Sequence, residues 1–228
     1  MVLKRWIAIA ALCIVVIVGV AAYAANSDRP LESLGMKLAA AWHDDQHMRV
    51  VAKIGSEEIT HGEVETTKAW LSAQGKAVNR KAILDHLIPH KILVSEAKER
   101  GLFPSKEEVL TYIDQMRRMP QIAKEKGIEI APEGKALYED FLAGLQKGGM
   151  SEEEYWRNKA VIKGYREGMA VGKLRAELAK EWGFTREEMV TPQGIADFER
   201  KLREFISARR NVTNVEILDN APFHDLPR

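Results

Sequence analysis

An all-α domain, mainly helical and fastened by a small two-stranded clasp, is the fold that this sequence predicts. Three observations carry it. Thr60 with Glu63, Ser105 with Glu108, Ser151 with Glu154 and Thr185 with Glu188 each set a hydroxyl three places before a glutamate. In a helix start of this kind the hydroxyl accepts from the N3 amide while the carboxylate returns to the cap amide. After these starts, apolar residues recur at helical spacing. Finally, two short runs with strand character, Arg49–Ile54 and Asn214–Leu218, stand near opposite ends of the domain. A lone strand is not stable in water, so each run is expected to pair with the other.

The elements follow in order. Asn26–Pro30 reads as a linker, and Leu31, Leu34, Leu38 and Trp42 then recur at helical spacing. Residues 26–48 are therefore expected to be a linker or stalk with a short helix. Arg49–Ile54 is the first strand; Gly55 turns the chain, and Ile59 is placed to pair back briefly. The first helix of the domain runs over about 61–73 and stops near Gly75. The next covers about 80–100 and is closed by Gly101. Ile83, Leu87 and Val94 lie near one stripe of it, widened by Leu84, Ile88 and Ile92, and Pro89 predicts a kink. A third helix, over about 106–119, ends at Pro120, and a shorter one covers about 134–146 ahead of Gly148-Gly149. The longest is expected from Glu152 to about Trp182, carrying Tyr155, Ile162, Tyr165, Met169, Leu174 and Leu178. Thr191-Pro192 opens the last helix by placing proline at its first position, and this helix reaches about Arg210. The domain so defined spans 49–218 with about six helices, followed by a Pro- and Asp-rich tail over 219–228.

Ahead of it, residues 1–25 form a leader. Lys4 and Arg5 precede a run from Trp6 to Ala25 without a charged or strongly polar side chain. The run is long enough for a membrane-spanning anchor, which takes roughly 20 apolar residues. It also holds a shorter apolar core and an Ala22-Tyr23-Ala24 site of the kind at which signal peptides are cut. Both readings, retained anchor and cleaved signal, place the rest of the chain outside the cytoplasm, because the basic end stays inside. Cys13, the only cysteine among 228 residues, lies within this leader, so the exported part has no thiol to act as nucleophile, metal ligand or disulfide partner.

Charge narrows the function classes. The chain has 34 Lys and Arg against 33 Asp and Glu, a formal net charge of +1, and setting aside Lys4 and Arg5 leaves −1. Nothing in that balance neutralises phosphates, which argues against nucleic acid as a partner. His86 and His90 stand at metal spacing on a helix, as do His43 and His47, but Leu87 occupies the place where a zincin carries its glutamate. Neither pair brings a third ligand, so no metal site is assigned. No phosphate loop, nucleophile elbow or paired-carboxylate constellation stands out, and no cofactor is implied. Gly164, Gly168 and Gly172 repeat along the long helix. Each costs the helix roughly 1 kcal/mol relative to alanine, which points to a seam where another helix approaches closely, with a flexible hinge as the alternative.

The order of these motifs resembles the N-terminal module of the SurA and PrsA type extracytoplasmic chaperones. That family opens on "V-A-x-V-N-G-x-x-I-T", and here Val51-Ala52-Lys53-Ile54-Gly55-Ser56-Glu57-Glu58-Ile59-Thr60 stands in its place. Its helix "L-I-x-x-x-L-x-x-x-E-A-x-x-x-G" is matched by Leu87-Ile88 through Val94 to Glu96-Ala97 and Gly101. Pro104-Ser105-Lys106-Glu107-Glu108-Val109 is similar to its "V-S-x-E-E-V", and Gly149-Met150-Ser151-Glu152-Glu153-Glu154-Tyr155 to its "G-x-S-E-E-E-F". The resemblance covers about Val50 to Leu178. Two departures bear on activity: the family's turn Asn is absent, and only Gly183–Thr191 stands where many members insert a parvulin isomerase domain. A domain needs at least about 50 residues.

The resemblance therefore implies a chaperone module without isomerase activity, binding unfolded or exported polypeptides at the outer face of the membrane that its N-terminal segment engages. A dedicated assembly partner of one envelope complex and a degenerate isomerase homologue are the alternatives. Met and aromatic side chains adapt to varied apolar partners. On that ground Tyr112, Met116, Met119, Tyr138, Phe141, Leu142 and Trp156 are the candidate client-binding residues, with core packing as their competing role.

Overall fold

The computed structural model describes residues 30–43, 46–118, 121–122, 125, 132–219 and 223. The leader with Cys13, as well as Met119, lies outside the described residues. Eight α-helices and a three-stranded antiparallel sheet make up the described part: α1 (Pro30–His43), β1 (Val50–Ile54), β2 (Glu57–Thr60), α2 (His61–Ala73), α3 (Arg80–Glu99), α4 (Lys106–Arg117), α5 (Pro132–Lys147), α6 (Glu152–Arg157), α7 (Lys159–Glu181), α8 (Pro192–Val212) and β3 (Val215–Ile217). Among the described residues no helix is long and apolar enough to cross a membrane.

The clasp forms where the sequence places it, and the return at Ile59 widens into a full strand, so that the sheet has three strands and not two. Gly55, at φ +58°, turns β1 into β2, and Ile54 pairs with Glu57 across that turn. On the other edge of β1, Ile54 pairs with Val215 and Ala52 with Ile217, giving the order β2-β1-β3. The Gly55 amide donates to the Asn214 carbonyl at 2.9 Å, and the Leu218 amide to that of Val51 at 3.0 Å. β1 is thus bonded on both edges. Its Val51 and Ile54, with Ile59 of β2, are sealed beneath Val64 and Leu71 of α2 and Ile83, Leu87 and Ile92 of α3. Phe223 closes this core from the C-terminal side.

A second core joins Leu93 and Ala97 of α3 to Ala170, Leu174 and Leu178 of α7 and to Phe198 and Leu202 of α8. The helix starts behave as the cap chemistry dictates. Thr60, Ser105 and Ser151 each complete a capping box, at α2, α4 and α6. Thr185 and Glu188 complete theirs as well, but it starts only a 3₁₀ turn over Glu188–Val190. The residue before a proline is steered away from helical backbone, so Pro192 ends that turn at Thr191, whose hydroxyl then caps α8. Pro89 lies inside α3, which continues through it.

Three expectations are corrected. The single helix from Glu152 to Trp182 is two, because Asn158 takes extended backbone (φ −63°, ψ 131°) and its side chain caps α7 by accepting from the Ala160 amide at 2.8 Å. Residues 30–43 are not a stalk: Leu31, Leu34 and Leu38 of α1 are buried, and Ala69 of α2 closes that cluster. The glycine seam, finally, lies elsewhere. Added β-carbons at Gly35 or Gly144 would strike the Phe141 or Glu32 carbonyl, and one at Gly148 would come within 2.6 Å of the Ala39 β-carbon. Gly35 and Ala39 on α1, and Gly144 on α5 with Gly148 just past its end, are each four residues apart, which lets the two backbones touch. At Gly164, Gly168 and Gly172 an added β-carbon meets nothing within 4 Å among the described residues. α7 buries Ala170, Leu174 and Leu178 instead, and the glycine stripe lies off that face.

Candidate functional site

Aromatic rings from five helices form one continuous seam. Trp42 of α1 and Phe141 of α5 flank Tyr155 of α6 at 5.6 and 5.4 Å between centroids. Tyr155 meets Trp156 edge-on at 4.9 Å, Trp156 lies 5.9 Å from Tyr165 of α7, and Tyr165 lies 6.0 Å from Tyr112 of α4. Such pairs add to area burial when the rings are offset or edge-to-face. Tyr112 and Trp156 are 6% and 7% exposed, so these two candidate client-binding residues are core residues. The indole N–H of Trp156 and the hydroxyl of Tyr138 both donate to Glu152 Oε1, at 3.2 and 3.0 Å. Burial, then the Glu152 charge, pushes the Tyr138 hydroxyl up to about 12. Burial also pushes the Tyr155 hydroxyl well above its ordinary range.

Met116, Tyr138, Phe141 and Leu142 are half-buried. Leu142 lines an open depression, of about 430 Å³, with Ala143, Glu139, Gln146, Ser151 and Glu152. Core and contact surface draw on one composition, which is why the sequence does not separate Leu142 from Trp156.

A second site was not apparent in the sequence. Lys91 of α3, 1% exposed, points its ammonium between two carboxylates. Its Nζ lies 2.6 Å from Glu63 Oε1 and 3.2 and 3.1 Å from the two oxygens of Glu167 on α7. Lys163 Nζ joins from α7, 3.0 Å from Glu63 Oε1 and 3.6 Å from Glu167 Oε1. His90 Nε2 stands 3.3 Å from Glu167 Oε2. Burial alone would raise the Glu167 carboxyl, but the His90 hydrogen bond and the charges of Lys91 and Lys163 outweigh it and hold the group at about 2. Glu63 is likewise lowered against the cost of its burial, by Lys91 and Lys163. Lys163 is raised despite burial, by Glu63 and then Glu167. The signal in the sequence is Lys91 itself, one cation set among Leu87, Ile88, Ile92 and Val94 on the apolar side of α3. A charge is placed there only when paired.

Beside this cluster opens a depression of about 370 Å³, lined by Glu57, Lys98, Phe103, Lys163, Arg166 and Glu167. Lys98 pairs with Glu57 at 3.1 Å. Arg166 is fixed differently: its Nε donates to the Pro104 carbonyl at 3.2 Å, and its guanidinium lies 5.4 Å over the Phe103 ring. Of the two histidine pairs, His90 is engaged by Glu167, and burial followed by the charges of His90 and Lys76 lowers His86. Among the described residues no group of three His, Cys, Asp or Glu is placed to hold a metal ion.

No protein-family model, curated protein or solved structure matches this chain.

Proposed function

We propose that this protein is an extracytoplasmic chaperone-like module of the SurA and PrsA type that binds non-native or exported polypeptides without ATP. The observation that carries the reading is the closure of β1 by β3, which brings the end of the domain back onto the strand–glycine turn–capped helix with which it opens. The pairing of these two runs is the clasp that their strand character predicts. Between Trp182 and Thr191 the chain holds a turn and one 3₁₀ segment, so the module is proposed to act by binding alone and not as an isomerase. The Leu142 depression supports a contact surface beside the aromatic seam. Binding should be broad and weak, because its lining imposes no single partner.

The full chain is expected to slow aggregation of several unrelated unfolded proteins at near-stoichiometric ratio. Leu142→Ser should weaken that effect while circular dichroism stays unchanged. Absence of any effect on aggregation, together with tight binding of one envelope protein, would replace this reading by that of a dedicated assembly partner.

A further inference from the structure

We propose that the depression beside Lys91 is a binding site for a peptide carboxylate, received on the Arg166 guanidinium with the neighbouring apolar side chain against Phe103. The ligand class rests on the polypeptide-binding reading above; the site itself rests on charge accounting. Four cations, Lys91, Lys98, Lys163 and Arg166, meet three carboxylates, Glu57, Glu63 and Glu167. Glu57 takes Lys98, while Glu63 and Glu167 take Lys91 and Lys163. Among the described residues no carboxylate pairs with Arg166, whose Nε goes to a backbone carbonyl.

The guanidinium is nevertheless held in place. The Pro104 carbonyl fixes its Nε edge and the Phe103 ring one of its faces, leaving both terminal nitrogens for a ligand. That end of the group matches two carboxylate oxygens at once, and positioning it beforehand lowers the ordering cost of binding. Lys163, partly exposed on the same wall, adds a second positive charge. Glu57 and Glu167 line the depression as well, so a phosphate dianion meets two like charges that a monoanion tolerates better. The hydrophobic ring beside the cation favours a carboxylate next to an apolar residue, whether it comes from a chain terminus or an acidic side chain.

The test titrates the full chain with acetyl-Ala-Leu bearing a free carboxylate, with its C-terminal amide, and with acetyl-Ala-Glu-Leu amide, which carries the carboxylate on a side chain. At least one of the two acids is expected to bind tenfold or more tighter than the amide, and the tighter of them identifies the source. Arg166→Gln should abolish that preference without moving the melting temperature. Arg166→Lys, which keeps the charge and loses the fork, should reduce it severalfold and covers the case in which the glutamine variant misfolds. Equal binding of acids and amide, a preference that survives both substitutions, or displacement by inorganic phosphate as readily as by the acids would overturn the assignment. Aggregation assays on the same samples separate the two ideas: suppression that persists without any acid preference removes this site and leaves the chaperone reading standing.

Discussion

The ammonium of Lys91 lies 2.6 Å from Glu63 Oε1, and the other oxygen of that carboxylate accepts the Thr60 amide at 2.8 Å. One glutamate thus closes the cap of α2 and neutralises a cation buried on α3. Glu167 draws α7 onto the same ammonium. Three helices and the end of β2 are tied at one point.

Breaking this point from one side should be costly. Lys91→Met keeps the volume but leaves Glu63 and Glu167 facing each other with Lys163 and, on Glu167, His90 to offset them. Loss of one partner of a buried pair costs about 3–5 kcal/mol. Urea unfolding of Lys91→Met is expected to show a loss in that range, and Lys91→Met with Glu167→Gln should recover a large part of it. A loss below about 1 kcal/mol, as for exposed pairs, would mean that the cluster is solvated.

The same cluster sets a pH dependence. Glu167 is held at about 2 in the folded chain against an ordinary value of 4.5. Below the ordinary value the unfolded chain binds the proton that the folded chain refuses. The stabilisation is therefore complete above that value and is lost as pH falls from 4.5 towards 2. The difference corresponds to an order of about 3 kcal/mol. Denaturant midpoints of the native protein should fall through this window more steeply than those of Glu167→Gln.

Glycines at four-residue spacing should respond in opposite directions. Gly144→Ala drives a methyl group into the Glu32 carbonyl and is expected to lower the melting temperature by separating α1 from α5. Gly168→Ala meets nothing within 4 Å among the described residues, in a helix interior, and should stabilise by up to about 1 kcal/mol. Thermal melts of the two variants check both signs.

Phe223 tests the C-terminal closure. It is 5% exposed within the core of β1, α2 and α3, and the Arg80 guanidinium lies 5.4 Å over its ring. Phe223→Ala should cost about 3–5 kcal/mol, and truncation after Thr213, which also removes β3, should cost more. Equal melting temperatures for the native and truncated chains would contradict the clasp.

The fold was legible in the sequence where local chemistry is decisive. Hydroxyl–glutamate pairs at Thr60, Ser105 and Ser151 marked helix starts because cap bonds involve neighbours four residues apart at most, and alternation at Asn214–Leu218 marked a strand because side-chain direction has period two. The break at Asn158 was hidden, since Tyr155, Ile162 and Tyr165 keep an apolar rhythm across it. Contacts between distant segments were not legible. Gly164, Gly168 and Gly172 carry the pattern of a seam, but whether a helix approaches depends on a partner, and Gly35 finds one in α5 only through the tertiary fold. Lys91 stood out as a cation on an apolar face, but that Glu63 and Glu167 are its partners depends on the tertiary fold in the same way.

The pairing of Ala52 with Ile217 has a kinetic consequence. β1 belongs to the opening of the domain and β3 to its end, so their loop spans nearly every helix between them. Closing so long a loop adds little to the equilibrium cost, which rises only with the logarithm of length, but non-local pairing slows folding. While the chain is emitted from its N-terminus, the hairpin of β1 and β2 keeps one edge unsatisfied until the last stretch appears. The helices can form in sequence, but the domain locks only when the whole of it has arrived.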